Sequence, residues 1–204
     1  MPFRSNLELS LRLLLATVLG GSFVLLLGPW ILHALQPVFE VVFSLLQPDV
    51  LANISLTQGP VSSAIITAST YSLHGIAING HIVVAANSPL IAVTTEAPHA
   101  LLPASILLAG LLFWPAHRGE YLARVVWGLT FLLALLCLMT PLLLAGRVEI
   151  YLLDQMSQAG VTPHPFHSPL LIWMVFSEMG GRWLLPILLV VACNALSRRP
   201  ALAR

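Results

Sequence analysis

Glu178 and Arg182 stand four residues apart, so on a helix they share one face and can form an ion pair. Ionisable groups are costly in hydrocarbon, so such a pair inside an apolar segment is a candidate for function. Depth decides its use. If Arg198 marks the inner boundary, a rise of about 1.5 Å per residue puts Arg182 about 24 Å and Glu178 about 30 Å further out. The hydrocarbon core is about 30 Å thick, so the pair falls at the outer boundary. There it can anchor the helix, dock it on neighbouring chain, or meet a partner or substrate. Gly180-Gly181 between the two charges allows close helix approach or a kink.

Histidines and cysteines are the other groups with chemistry. His164 and His167 lie in a proline-rich stretch, and His74, His81 and His99 precede them. Imidazole ligates zinc and copper, which makes His164 and His167 the candidates for a metal. Two histidines three apart in such a stretch do not build a helical metal face, and no cysteine or acidic residue is fixed beside them. No metal site is therefore assigned. Cys137 and Cys193 both sit in apolar runs, about 20 Å and about 7 Å from the inner boundary, too far apart in depth to bond. A thiolate is disfavoured in hydrocarbon, so both read as packing residues. Asn53-Ile54-Ser55 is a glycosylation acceptor only in a eukaryotic secretory pathway. No nucleophile elbow, phosphate-binding loop or dinucleotide fingerprint occurs. The expectation is a chain with no catalytic residue and no cofactor.

The elements that hold these residues follow from composition. Of 204 residues, 58% are hydrophobic and 8% charged, against about 25% charged in an ordinary soluble domain. A globule of this size leaves too much surface in water to hide so apolar a chain. A bilayer removes the difficulty. The net charge of +1 gives no general basic field for nucleic acid.

About 20 apolar residues span a bilayer. The first such segment is residues 13–35, after a cytoplasmic stretch at 1–12; it is too long for the apolar part of a cleaved signal. Residues 36–47 are apolar with one Glu and read as an interfacial helix or an extension of the first span. Across 53–86, β-branched residues alternate with polar ones, which predicts strands. Asn79-Gly80 is a hairpin turn signal between strands at about 73–78 and 81–86. A strand at about 63–71 is expected to join that hairpin, which is marginal alone. Further spans are read at 98–114, 125–144 and 170–196. A loop at 115–124, a second at 145–169 and a tail at 197–204 complete the chain. The fold class is thus an α-helical membrane protein: four transmembrane helices with a small extracytoplasmic β-rich insert, residues 36–97, between the first and second.

Arginines set the orientation, since the chain has no Lys. Arg4 and Arg12, Arg118 and Arg124, and Arg198, Arg199 and Arg204 flank one side; only Arg147 lies in the opposite loops. Seven against one puts both termini and the middle loop in the cytoplasm. The location implied is a bacterial inner membrane.

The order of parts resembles the small accessory membrane proteins associated with bacterial exosortases. Asn87-Ser88-Pro89-Leu90 is similar to their Asn-Pro-Leu-like lead into the second span, with an extra Ser. Gly181-Arg182-Trp183-Leu184-Leu185-Pro186 is similar to the block before their final Arg-rich tail. The resemblance covers most of the chain in layout and rests on these few residues. It implies a helper in sorting or processing of exported proteins, without catalytic residues of its own.

Three functions compete. The leading one is a non-catalytic accessory or assembly subunit of a membrane complex, whose partners are the bilayer and either another membrane protein or further copies of the chain. The others are an intramembrane enzyme or transfer protein working at the outer interface, and a channel or transporter subunit. Four spans without a charge near the midplane give a single copy little to line an aqueous path.

Overall fold

A computed structural model describes residues 2–58, 64–78, 81–114, 120–158, 160 and 168–198. Helix α1 (Pro2–Leu46) leads into strands β1 (Val50–Gln58), β2 (Ala64–Ser72), β3 (Ile76–Ile78), β4 (His81–Val84) and β5 (Pro89–Glu96). Helices α2 (Ala97–Phe113), α3 (Tyr121–Gln158) and α4 (Pro169–Phe176) follow. A π-turn (Ser177–Gly181) then leads into α5 (Arg182–Arg198). The expected turn at Asn79-Gly80 and the stretch holding His164 and His167 lie outside the described residues.

Three helical stretches are long and apolar enough to cross a membrane: Glu8–Leu46, Tyr121–Gln158 and Pro169–Arg198. The fourth apolar helix, α2, has 17 residues and a length of about 25 Å, slightly under the hydrocarbon thickness. Water does not explain their surfaces. Leu25 and Leu26 of α1 are 78% and 74% exposed, a cost in solvent of the order of 1.5–3 kcal/mol for each such side chain left unburied. Lipid removes it.

The helices differ from expectation in length. Helix α1 continues without a break through residues 36–47, so this stretch extends the first helix rather than forming a separate interfacial one. With 45 residues it is about 68 Å long, twice what the bilayer needs. Helix α3 has 38 residues and carries Arg147, Glu149 and Asp154, which the sequence reading placed in a loop. Those charges exclude a spanning segment, but a helix beyond the membrane tolerates them.

The chain divides into two compact units. The first comprises Met1–Pro29, Leu101–Leu136 and Gly181–Arg204; the second comprises Trp30–Ala100 and Cys137–Gly180.

The second unit holds all the strands. The sheet order is β1-β2-β5, antiparallel throughout, with β3 and β4 forming a separate hairpin. The expectation that β2 joins the hairpin is therefore corrected. Its partners are β1 and β5; residues 89–96, expected to lie between the last strand and the second span, form β5. Asn87-Ser88-Pro89-Leu90 accordingly opens a strand, and β5 runs directly into α2. Alternation sorts the two sheet faces. Ile54, Ile66, Ala68, Thr70, Val93 and Thr95 are buried. Ser55, Thr67 and Thr94 lie opposite one another across the three strands on the other face. The ladder slips between Ser69 and Tyr71, where Thr70 repairs it. The buried Thr70 hydroxyl donates to the Ile91 carbonyl at 2.6 Å and accepts from the Ile91 N–H at 3.3 Å. One side chain thus satisfies both backbone groups that the slip would leave unmatched.

Candidate functional site

Both edges of the sheet meet a charged helix side chain of matching sign. At β1, the Ile54 N–H donates to Glu40 Oε1 of α1 at 3.2 Å. At β5, Arg147 Nη1 of α3 donates to the Thr94 carbonyl. A carboxylate can only accept and a guanidinium can only donate, so each group suits the backbone atom it meets. Open strand edges invite pairing with other chains, and these two contacts blunt both edges while tying the sheet to its helices.

Arg147 does a second job. Its Nη2 donates to Glu178 Oε1 at 3.1 Å. One guanidinium therefore joins α3, β5 and the π-turn. The two side chains are 37% and 44% exposed, so water screens the pair and its worth is modest. The geometry behind it is set by close packing. A Cβ built on Gly146 would stand 2.7 Å from the Met174 Cβ and 3.0 Å from the Leu170 carbonyl. Only glycine lets α3 and α4 approach this closely, and the next residue along α3 is Arg147. Helix α4 begins with Ser168 as N-cap, its hydroxyl accepting from the Leu171 N–H at 3.3 Å, and Pro169 in the first turn.

The sequence pairs Glu178 with Arg182 along one helix face. That face is interrupted: Gly180 has φ 119°, a left-handed value that breaks the helix between the two residues. The ion pair formed by Glu178 is with Arg147, while Arg182 opens α5 beyond the kink. π-turns are frequent at functional sites. Here the turn has two buried polar groups beside it, the Trp173 indole N–H and the Ser177 hydroxyl, with no hydrogen-bond partner among the described residues.

The other candidates are dispersed. His74 Nδ1 faces Asp49 Oδ1 at 3.8 Å and His99 Nε2 faces Glu96 Oε2 at 3.9 Å, both pairs well exposed. Among the described residues, no group of three or more His, Cys, Asp or Glu could hold a metal ion. Cys137 and Cys193 are free thiols. Cys193 is fully buried in the first unit, with its Sγ 3.5 Å from the Arg124 carbonyl, where it packs α5 on α3.

Two residues that matter here carry little signal in the sequence: Arg147 stands beside Glu149 and Asp154 in a stretch that reads as a loop, and Glu40 is the lone charge of residues 36–47. For Glu40 the signal is that isolation, since a lone charge in an apolar stretch needs a partner. Nothing in the sequence says which partner, because Thr94 and Glu178 are 53 and 31 residues away from Arg147.

Comparison with known proteins finds no matching family model, no matching curated protein and no matching solved structure.

Proposed function

We propose that the chain is a non-catalytic accessory or assembly subunit of a bacterial inner-membrane complex. In this reading it crosses the bilayer four times with both ends in the cytoplasm, and the sheet-bearing unit lies outside. The observation that carries the orientation is the division of charge. The second unit holds one arginine; of the eight in the first, seven flank the inner ends of the spans and Arg182 stands toward the outer edge. Arginine retained on one side of a membrane is the mark of the cytoplasmic face.

The accessory role is supported by what the polar groups of the second unit do. Glu40, Arg147 and Glu178 bind protein to protein, which is scaffold work. The centre of the sheet face away from the core carries short uncharged side chains, including Ser55, Thr67 and Thr94, with Leu51 and Tyr71 exposed in register beside them and Glu96 at the margin opposite Ile65. That centre can receive a partner without desolvating a charge. The narrower reading, a helper in sorting or processing of exported proteins, rests on the resemblance of Asn87-Ser88-Pro89-Leu90 and the block from Gly181 to Pro186.

Purification from native membranes in mild detergent tests the proposal. A membrane protein partner should be retained, and Thr67→Arg, which places a charge at the centre of the sheet face, should release it while the chain itself stays folded. A chain that purifies as a lone monomer, and whose deletion leaves every neighbouring protein unaffected, would contradict it.

A further inference from the structure

Two buried polar groups stand together where α4 enters the π-turn. The Ser177 hydroxyl and the Trp173 indole N–H are shut off from the surface and have no hydrogen-bond partner among the described residues. Ser177 as a whole is 4% exposed. Buried polar groups of folded proteins are almost always bonded, so two left over at one place point to an occupant. Other hydroxyls of these helices bond back to their own ladder. Ser197 donates to the Cys193 carbonyl at 2.6 Å and Ser105 to the Leu102 carbonyl at 2.8 Å. The Ser177 hydroxyl makes no such bond, although the backbone N–H of the same residue bonds the Trp173 and Met174 carbonyls.

Spacing makes the two groups one site. Trp173 and Ser177 are four residues apart, and Ser177 keeps helical dihedrals of φ −61° and ψ −42°, so the two side chains are neighbours on one helix face. Met174 beside them is buried, and its Cβ lies against Gly146 of α3. Side chains so spaced stand about 5–6 Å apart at their Cβ atoms. The two groups do not bond each other. One molecule with hydrogen bonds of about 2.9 Å on either side bridges up to about 6 Å.

Chemistry selects the molecule. An indole N–H only donates, whereas a hydroxyl both donates and accepts. The occupant must therefore accept from Trp173 and can donate to Ser177. A lipid tail does neither. A water does both, and a buried water needs only about two to four polar partners. Insertion of water is also one of the causes of a helix kink, and Gly180 at φ 119° marks such a kink three residues on. Solvent is close, because the next residue, Glu178, has a side chain 44% exposed.

We propose that a single ordered water bridges Trp173 Nε1 and Ser177 Oγ at the start of the π-turn. It gives both buried groups a partner while the helix stays bent. The site stands on these groups alone and does not depend on the orientation given under Proposed function.

A structure of the full chain in lipid, at a resolution that shows ordered water, decides the matter. One water should lie within about 3.2 Å of both Trp173 Nε1 and Ser177 Oγ, and Ser177→Ala should lose it. In NMR of the same sample, the Trp173 indole proton, assigned by its loss in Trp173→Phe, should show a cross-peak to water. Ser177→Ala should weaken that cross-peak about fivefold or more, and Ser177→Thr, which keeps the hydroxyl, should hold it within about twofold. The proposal is overturned if the site is dry, if Trp173 Nε1 bonds Ser177 Oγ directly, or if a protein or lipid oxygen takes the place of the water. It is also overturned if the cross-peak survives Ser177→Ala unchanged. Should that variant fail to fold, the wild-type structure decides by itself.

Discussion

At the scale of single residues, Arg147 carries more of the second unit than any other charge. Replacing it by alanine leaves the Glu178 carboxylate and the Thr94 carbonyl without their donor. Both side chains of the pair are more than a third exposed, so water recovers much of the loss, and a destabilisation of roughly 1 kcal/mol is expected. Glu178→Gln should cost less, because it keeps an acceptor oxygen. A double-mutant cycle in detergent should give a coupling of about 0.5–1 kcal/mol between positions 147 and 178, and near zero between 178 and 182. Stronger coupling of Glu178 to Arg182 than to Arg147 would show that the ion pair has been assigned to the wrong partner. Glu178 was legible in the sequence as a charge at the membrane edge. Its partner was not, because local spacing offers Arg182 while the tertiary fold supplies an arginine 31 residues away.

At the scale of elements, the legible parts were those with an uninterrupted period. Alternation through Ile54 and Leu56 marks β1, and the hairpin strands and α2 stand close to where the pattern puts them. Residues 89–96 are hard to read because Pro89 opens the strand, its apolar start ends at Thr94-Thr95-Glu96, and no turn separates strand from helix. The outer half of α3 was hidden for the opposite reason, since charge there resembles a loop when only spans are sought. Two substitutions test the joints between elements. Gly180→Ala forces a Cβ into a backbone at φ 119° and should destabilise by about 1–3 kcal/mol, measured by thermal unfolding in detergent. A neutral result would mean that the kink relaxes into continuous helix. Thr70→Val keeps the shape but removes both bonds to Ile91 and should cost about 1–3 kcal/mol, with faster amide exchange confined to β5 and the end of β2. Exchange that accelerates equally across the whole sheet would instead mark Thr70 as a general packing residue.

At the scale of the whole molecule, the chain sorts its charges by unit: arginine in one, carboxylate in the other. The helices that both units share are about twice as long as a bilayer is thick, so a substantial helical part must lie beyond the lipid. That part, with the sheet, is the proposed surface for a partner, while the spanning part offers exposed leucines such as Leu25 and Leu26. The most direct measurement is labelling of intact cells with a membrane-impermeant thiol reagent, in a chain carrying Cys137→Ala and Cys193→Ser. Single cysteines introduced by Ala86→Cys in the turn before β5 and Gln158→Cys at the end of α3 should be modified from outside. Those introduced by Ser10→Cys and Tyr121→Cys should react only after the cells are opened. Protection of Ala86→Cys and Gln158→Cys, or labelling of Ser10→Cys in intact cells, would contradict the orientation and with it the placing of the sheet unit as the outward working surface.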